Sequence, residues 1–124
     1  MRSAEPCPCG RDLHYGSCCL PLHVGERQAQ TAEELMRSRY SAFVVGDTEY
    51  LWRTWHPRTR PQDVGDGAVT WSHLEIVDTV AGREGDESGE VEFRAHHRAG
   101  VLHERSRFAR RAGRWFYVDG DLLD

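Results

Sequence analysis

Residues 90–119 read EVEFRAHHRAGVLHERSRFARRAGRWFYVD, from Glu90 to Asp119. Apolar and charged side chains alternate along this run, and the alternation is interrupted at Ala99-Gly100 and again at Ala112-Gly113. A period of two belongs to a strand with one covered face, because successive side chains point to opposite sides. The spacing predicts strands near 90–98, 101–110 and 114–119, joined by tight turns. A fourth strand is predicted near 69–80, followed by a turn rich in Gly and Asp over 82–89. Its apolar residues change face between Trp71 and Leu74, which predicts a bulge.

Ahead of Val69 the period lengthens. Leu35, Met36, Arg39, Tyr40, Phe43 and Val44 recur at helical spacing. Thr31 with Glu34 forms a capping-box pattern at the start of that stripe, and Gly46 is placed to end it. Asp47 is positioned to cap a second helix carrying Tyr50, Leu51 and Trp55, with Pro57 as its stop. Residues 20–30 read as a connector, and 57–68, rich in Pro, Gly and Asp, as a loop. Helices followed by a run of antiparallel strands define an α+β layout. A bulged sheet of this kind can wrap the helices to form a cone.

All four cysteines lie in Cys7-Pro8-Cys9-Gly10-Arg11-Asp12-Leu13-His14-Tyr15-Gly16-Ser17-Cys18-Cys19. Disulfide pairing is disfavoured, since adjacent Cys18 and Cys19 bridge only with backbone strain and a reducing compartment opposes bridges. Inert core packing suits four thiols beside Pro and Gly poorly. A structural zinc site fits better: four thiolates complete a tetrahedron and leave no open position for substrate. Pro8 fixes the chain between the first two thiols and Gly10 relieves the bend after them. His23 stands close enough in sequence to replace Cys19 as the fourth ligand.

The chain has 124 residues, 39% of them apolar and 29% charged, which bounds it to one domain with a small appendage. The first ten residues carry no apolar signal-peptide core and no window reaches a membrane span, so a cytoplasmic protein without membrane contact is expected. Its sixteen cationic side chains are all Arg, and a net charge of −4 argues against general nucleic-acid binding.

The pattern C-x-C-x8-C-C resembles the SEC-C motif, the zinc-binding knuckle at the C-terminus of the secretion ATPase SecA. Cys7, Cys9, Cys18 and Cys19 fall on its four ligand positions and Tyr15 on its usual aromatic. The loop Gly10-Arg11-Asp12-Leu13-His14 departs from the motif's usual Gly-Ser-Gly and lysines. The order of helices and strands resembles the nuclear-transport-factor-2-like, or cystatin-like, superfamily. Leu35–Phe43, Thr54–Pro57, Glu104–Phe108 and Gly113–Gly120 resemble the bacterial YchJ family, whose members place a SEC-C motif ahead of such a domain. The resemblance implies a zinc knuckle over 1–25 and a cystatin-like domain over 26–124, and supplies no reaction.

Two functions follow as expectations. The first is a zinc-binding adaptor with structural zinc, whose knuckle, by resemblance to the SecA tail, contacts a protein or ribosome partner in translation or export. Its physical rationale is that about twenty residues cannot hold a fold alone, and zinc supplies on the order of 10 kcal/mol in comparable peptides. The second is a small-molecule-binding protein or enzyme using a cavity lined by Arg39, Tyr40, Trp55, His56 and Glu104. Glu104 shares a strand face with Leu102, Ser106 and Phe108, which makes it the expected partner for Arg39. No nucleophile elbow, phosphate loop or paired acid–base motif points to catalysis. His96 and His97 are strand neighbours on opposite faces and cannot chelate together, and His73 and His103 are expected as surface or core residues. Trp115 and Tyr117 share one face and Phe116 and Val118 the other, so the outer face is expected to meet a second copy, as a homodimer, or the knuckle.

Overall fold

The computed structural model describes residues 2–65 and 69–123. Of the loop expected over 57–68, residues 66–68 lie outside the described residues. Three helices, α1 (Leu20–His23), α2 (Ala32–Val45) and α3 (Thr48–Arg53), precede four strands, β1 (Trp71–Ala81), β2 (Ser88–His97), β3 (Gly100–Arg111) and β4 (Arg114–Leu123). A single 3-10 turn, Tyr15–Ser17, lies inside the cysteine segment.

The strands form an antiparallel meander in the order β1-β2-β3-β4. Register shifts fall between Trp71 and His73, between Ile76 and Asp78, and on β3 between Arg107 and Phe108. The first is the bulge expected from the change of face in β1, and together these shifts curl the sheet around α2. Leu74, Val91, Phe93, Ala95, Phe108 and Trp115 line its inner face and pack against Leu35, Met36, Tyr40 and Ala42 of α2.

Local chemistry sets the helix ends. Thr31 Oγ1 accepts from the Glu34 backbone N–H at 3.0 Å. Glu34 reaches back one residue further than a capping box requires, to the Gln30 N–H at 2.7 Å, while its other oxygen pairs with Arg27 Nη1 at 2.6 Å. Gly46 closes α2 in the left-handed conformation, and the Asp47 side chain caps α3. Helix α3 stops at Arg53, four residues before Pro57, because tertiary pairing captures the chain first. Trp55 bridges in parallel to Tyr117, whose backbone N–H donates to Thr54 O at 2.8 Å. The expected connector 20–30 contains the short α1, held to α3 by Arg53 Nη2 donating to His23 O at 2.6 Å.

The alternation expected in the last strand holds at Trp115, Phe116 and Tyr117. Tyr117 turns inward with Trp115, so Phe116 faces outward, with the His56 ring against it at 5.9 Å. Elsewhere the face is a lattice of opposite charges. Arg105 pairs with Asp78 at 2.9 Å, Glu90 at 3.2 Å and Glu92 at 2.8 Å, and Arg107 with Asp119 at 2.5 Å and Asp121 at 2.8 Å. His73 stacks on His96 at 3.9 Å, and His103 Nε2 meets Glu92 Oε2 at 2.7 Å. The cysteine segment packs against α2 on the helical side, not against this face.

Among the described residues, no helix is long and apolar enough to cross a membrane.

Candidate functional site

The cysteine segment folds back on itself through short backbone bonds. The Cys7 N–H donates to Leu13 O at 2.9 Å and Gly10 N–H to Cys7 O at 3.3 Å, with Gly10 at φ +87°. That conformation favours Gly and lets Cys7 and Cys9 face the same centre. All four sulfurs are buried and lie within 4.8 Å of one another. Cys9 Sγ is 3.6 Å from Cys18 Sγ, and Cys18 Sγ is 3.9 Å from Cys19 Sγ. A tetrahedral ion with bonds of about 2.3 Å sets its sulfurs about 3.8 Å apart. The donor set therefore fits one metal ion held by Cys7, Cys9, Cys18 and Cys19.

Electrostatics favour the same reading. Burial and the charge of Cys9 push the Cys18 thiol up to about 12. The hydrogen bond Cys19 gives to Cys7 holds the Cys19 thiol well above the ordinary thiol value and draws Cys7 below it. Sulfurs this close cannot all ionise unaided; a divalent cation at their centre deprotonates a coordinating thiol outright.

The surrounding groups were not evident from the cysteine spacing. Ser41 Oγ donates to Cys19 Sγ at 3.3 Å and lies 3.6 Å from Cys7 Sγ. Arg37 Nη1 donates to Cys9 O at 2.7 Å, and Arg27 Nη2 to Cys18 O at 3.3 Å. The apolar side of the knuckle rests on Val45 and Leu20. Residues 37, 41 and 45 are one helical turn apart, which is the signal that could have found this face.

His23 is not a ligand here. Its Nε2–H donates to Ser38 O at 2.9 Å, which leaves Nδ1 to accept from Tyr15 Oη at 2.6 Å. Burial holds its pKa below the ordinary histidine value, so the ring is neutral. Tyr50 Oη and Ser38 Oγ, 2.7 Å apart, extend the network into the domain.

The second feature lies between α2 and the inner sheet face. A cavity of about 230 Å³ opens there, lined by Met36, Arg39, Tyr40 and Phe43 from α2, by Trp55, and by Trp71, Glu104 and Tyr117 from the strands. It gathers four of the five residues expected at a pocket. His56 lies outside it: its backbone N–H donates to Tyr117 O at 2.7 Å, and its ring sits on Phe116.

Arg39 and Glu104 line this cavity but do not form the expected ion pair. Arg39 Nη1 donates to Leu51 O at 2.8 Å and Thr54 Oγ1 at 2.7 Å. The guanidinium lies over the rings of Tyr117 at 4.8 Å and Trp55 at 5.4 Å. Burial lowers its pKa to about 10, which leaves it charged at neutral pH. Glu104 Oε2 accepts from Ser106 Oγ at 2.6 Å and from Tyr117 Oη at 3.2 Å. Early termination of α3 explains the separation, because the freed Leu51 carbonyl and the Thr54 hydroxyl draw Arg39 toward the helices. Glu104 instead lies against Gly120, where a Cβ would overlap its Oε2 and come within 2.8 Å of its Cδ. The indole Nε1 atoms of Trp55 and Trp71 are buried without an acceptor among the described residues.

A four-cysteine knuckle clasped to a helix, with a four-stranded sheet curled over that helix's other side, defines a SEC-C-type protein with a nuclear-transport-factor-2-like domain. Residues 31–120 match the family described as YchJ, middle NTF2-like domain. The chain belongs to this family, whose relatives carry the name UPF0225. It is 56% identical to a UPF0225 protein of Streptomyces coelicolor, over 96% of this chain and 97% of that one. It is 46% identical to one of Corynebacterium efficiens, over 95% and 94%. A solution structure of a SEC-C motif containing protein from Rhodopseudomonas palustris superposes with a TM-score of 0.81 at 34% identity, covering 95% of this chain and 98% of that chain. A crystal structure of another, from Psychrobacter arcticus, gives 0.77 at 31% identity, covering 98% and 85%.

Proposed function

We propose that this protein binds a small molecule in the cavity of its cone, and that the knuckle is a structural zinc site fastening the N-terminus to α2. Arg39 and Glu104 carry the reading. Burying a charge is costly unless it is paired, and two opposite charges sharing one apolar cavity ordinarily close on each other. Here each is held by neutral donors or acceptors and kept apart, an arrangement that suits a third party. Zinc suits the knuckle because four thiolates select a soft, tetrahedral ion.

A thermal-shift screen of the metal-loaded protein against small metabolites tests the cavity. Saturable stabilisation by one chemical class, abolished by filling the cavity through Ala95→Leu at its wall, is the expected result. Inertness of the folded protein to every class overturns the reading. Metal analysis of freshly purified, reduced protein tests the knuckle, with about one zinc per chain expected.

The adaptor reading retains one favourable observation. Leu13, inside the cysteine segment, is 41% exposed, and Val24, just after it, 59%. Retention of a specific protein or ribosomal partner by the intact chain, lost on Leu13→Asp, is the result that reading requires.

A further inference from the structure

Resting on the cavity reading, we propose that the ligand is a single-ring aromatic carboxylate bearing a hydroxyl or amino group. The carboxylate satisfies the guanidinium of Arg39, and the ring substituent donates to Glu104.

Size sets the first limit. A cavity of about 150 Å³ with apolar walls holds benzene. The present one, at about 230 Å³, has room for a ring with one or two small substituents and little more. Its walls set the second limit. Tyr40 and Phe43 both approach Trp71 at a tilt, with centroids 6.1 and 6.2 Å apart, and Trp55 meets Tyr117 edge-on at 5.0 Å. Such a cage offers ring faces and edges to a flat guest, and aromatic pairs gain beyond their buried area.

Polarity sets the third. The guanidinium donors of Arg39 meet no carboxylate within ion-pair distance among the described residues, only the neutral Leu51 O and Thr54 Oγ1. Against these donors stands one anionic acceptor, Glu104, whose Oε2 is already covered by Ser106 and Tyr117. An incoming carboxylate removes the imbalance: it accepts from several donors at once and neutralises the buried cation. A donor on the ring then uses the remaining acceptor capacity of Glu104. A neutral aromatic fills the space and leaves Arg39 without a counter-charge in ion-pair contact; a cationic one faces it directly.

The test uses the full, metal-loaded chain and three isosteric probes: 4-hydroxybenzoate, 4-hydroxybenzamide and 4-hydroxybenzylamine. Calorimetry is expected to rank the carboxylate at least tenfold above the amide, with the amine weakest. In nitrogen-15 spectra, the Trp71 or Trp55 indole signal should move on binding of the carboxylate, because both rings line the cavity. Equal or better binding of the amide or amine overturns the ligand class and leaves the cavity reading standing. If no probe binds and a broad metabolite screen also fails, the cavity reading itself falls. Unchanged indole signals on carboxylate binding place the ligand elsewhere and overturn the proposal.

Discussion

Ser41, in the middle of α2, points its hydroxyl at the Cys19 sulfur from 3.3 Å, with the Cys7 sulfur 3.6 Å away. A helix residue of the domain thus meets two of the four clustered sulfurs, the place of an outer partner to the ligands of a bound ion. Such partners fix ligand orientation, and their loss typically costs about 10–100-fold in metal affinity. Ser41→Ala is expected to weaken zinc binding by that margin in competition with a chromophoric chelator, while the circular dichroism of the loaded protein stays unchanged. An unchanged affinity would show that the hydroxyl merely fills space.

Metal removal should act unevenly along the chain. The knuckle owes its order to the four sulfurs and a few backbone bonds, whereas the sheet and α2 share the main apolar core. Chelation under reducing conditions is expected to expose residues 2–25 to protease and fast hydrogen exchange while β2 and β3 remain protected. Loss of protection throughout the sheet would show that the domain cannot stand without its metal.

Gly120 and Glu104 form a close fit. A methyl at 120 would overlap the carboxylate and lie 3.1 Å from Arg105 O. Gly120→Ala is expected to destabilise the protein by roughly 1–3 kcal/mol through overpacking. Combining it with Glu104→Ala should recover part of the loss in a double-mutant cycle read by urea unfolding. Additive losses would mean that the backbone carbonyl, and not the carboxylate, is the obstacle.

All four tyrosines of the chain are held protonated by the fold. Burial first, and nearby negative charge second, raise Tyr15 and Tyr40 to about 12, burial raises Tyr50 to about 12, and Tyr117 is pushed higher by burial and Glu104. The ordinary value is about 10. These groups therefore contribute stability that is complete below pH 10 and lost as pH climbs toward about 12, because the unfolded chain releases its phenolic protons first. Arg39, lowered to about 10, works in the opposite direction over the same range, but one cation opposes four phenols. Absorbance at 295 nm should show almost no phenolate at pH 10.5, followed by ionisation together with unfolding. A gradual rise centred near pH 10 would show that the rings are accessible.

What could be read from the sequence is what depends on near neighbours. The cysteine spacing announced a cluster of four sulfurs, Thr31, Gly46 and Asp47 marked helix ends, and strand parity placed Glu104, Ser106 and Phe108 on one face. What escaped depends on pairings remote in the chain. Helix α3 ends early because β4 captures Thr54 and Trp55, and this one event also moves Arg39 away from Glu104 and leaves His56 outside the cavity. Trp71 joined the cavity through a bulge whose presence was legible but whose consequence was not. The docking of the knuckle on Arg37, Ser41 and Val45 rests on side chains that look ordinary in a helix.

Helix α2 presents Arg37, Ser41 and Val45 to the knuckle and Met36, Arg39, Tyr40 and Phe43 to the cavity. One rod thus forms a party wall between two compartments, and a tilt imposed from either room is felt in the other. Thermodynamic reciprocity then binds them: if an occupant on one side strengthens the affinity on the other, the second must strengthen the first by the same factor.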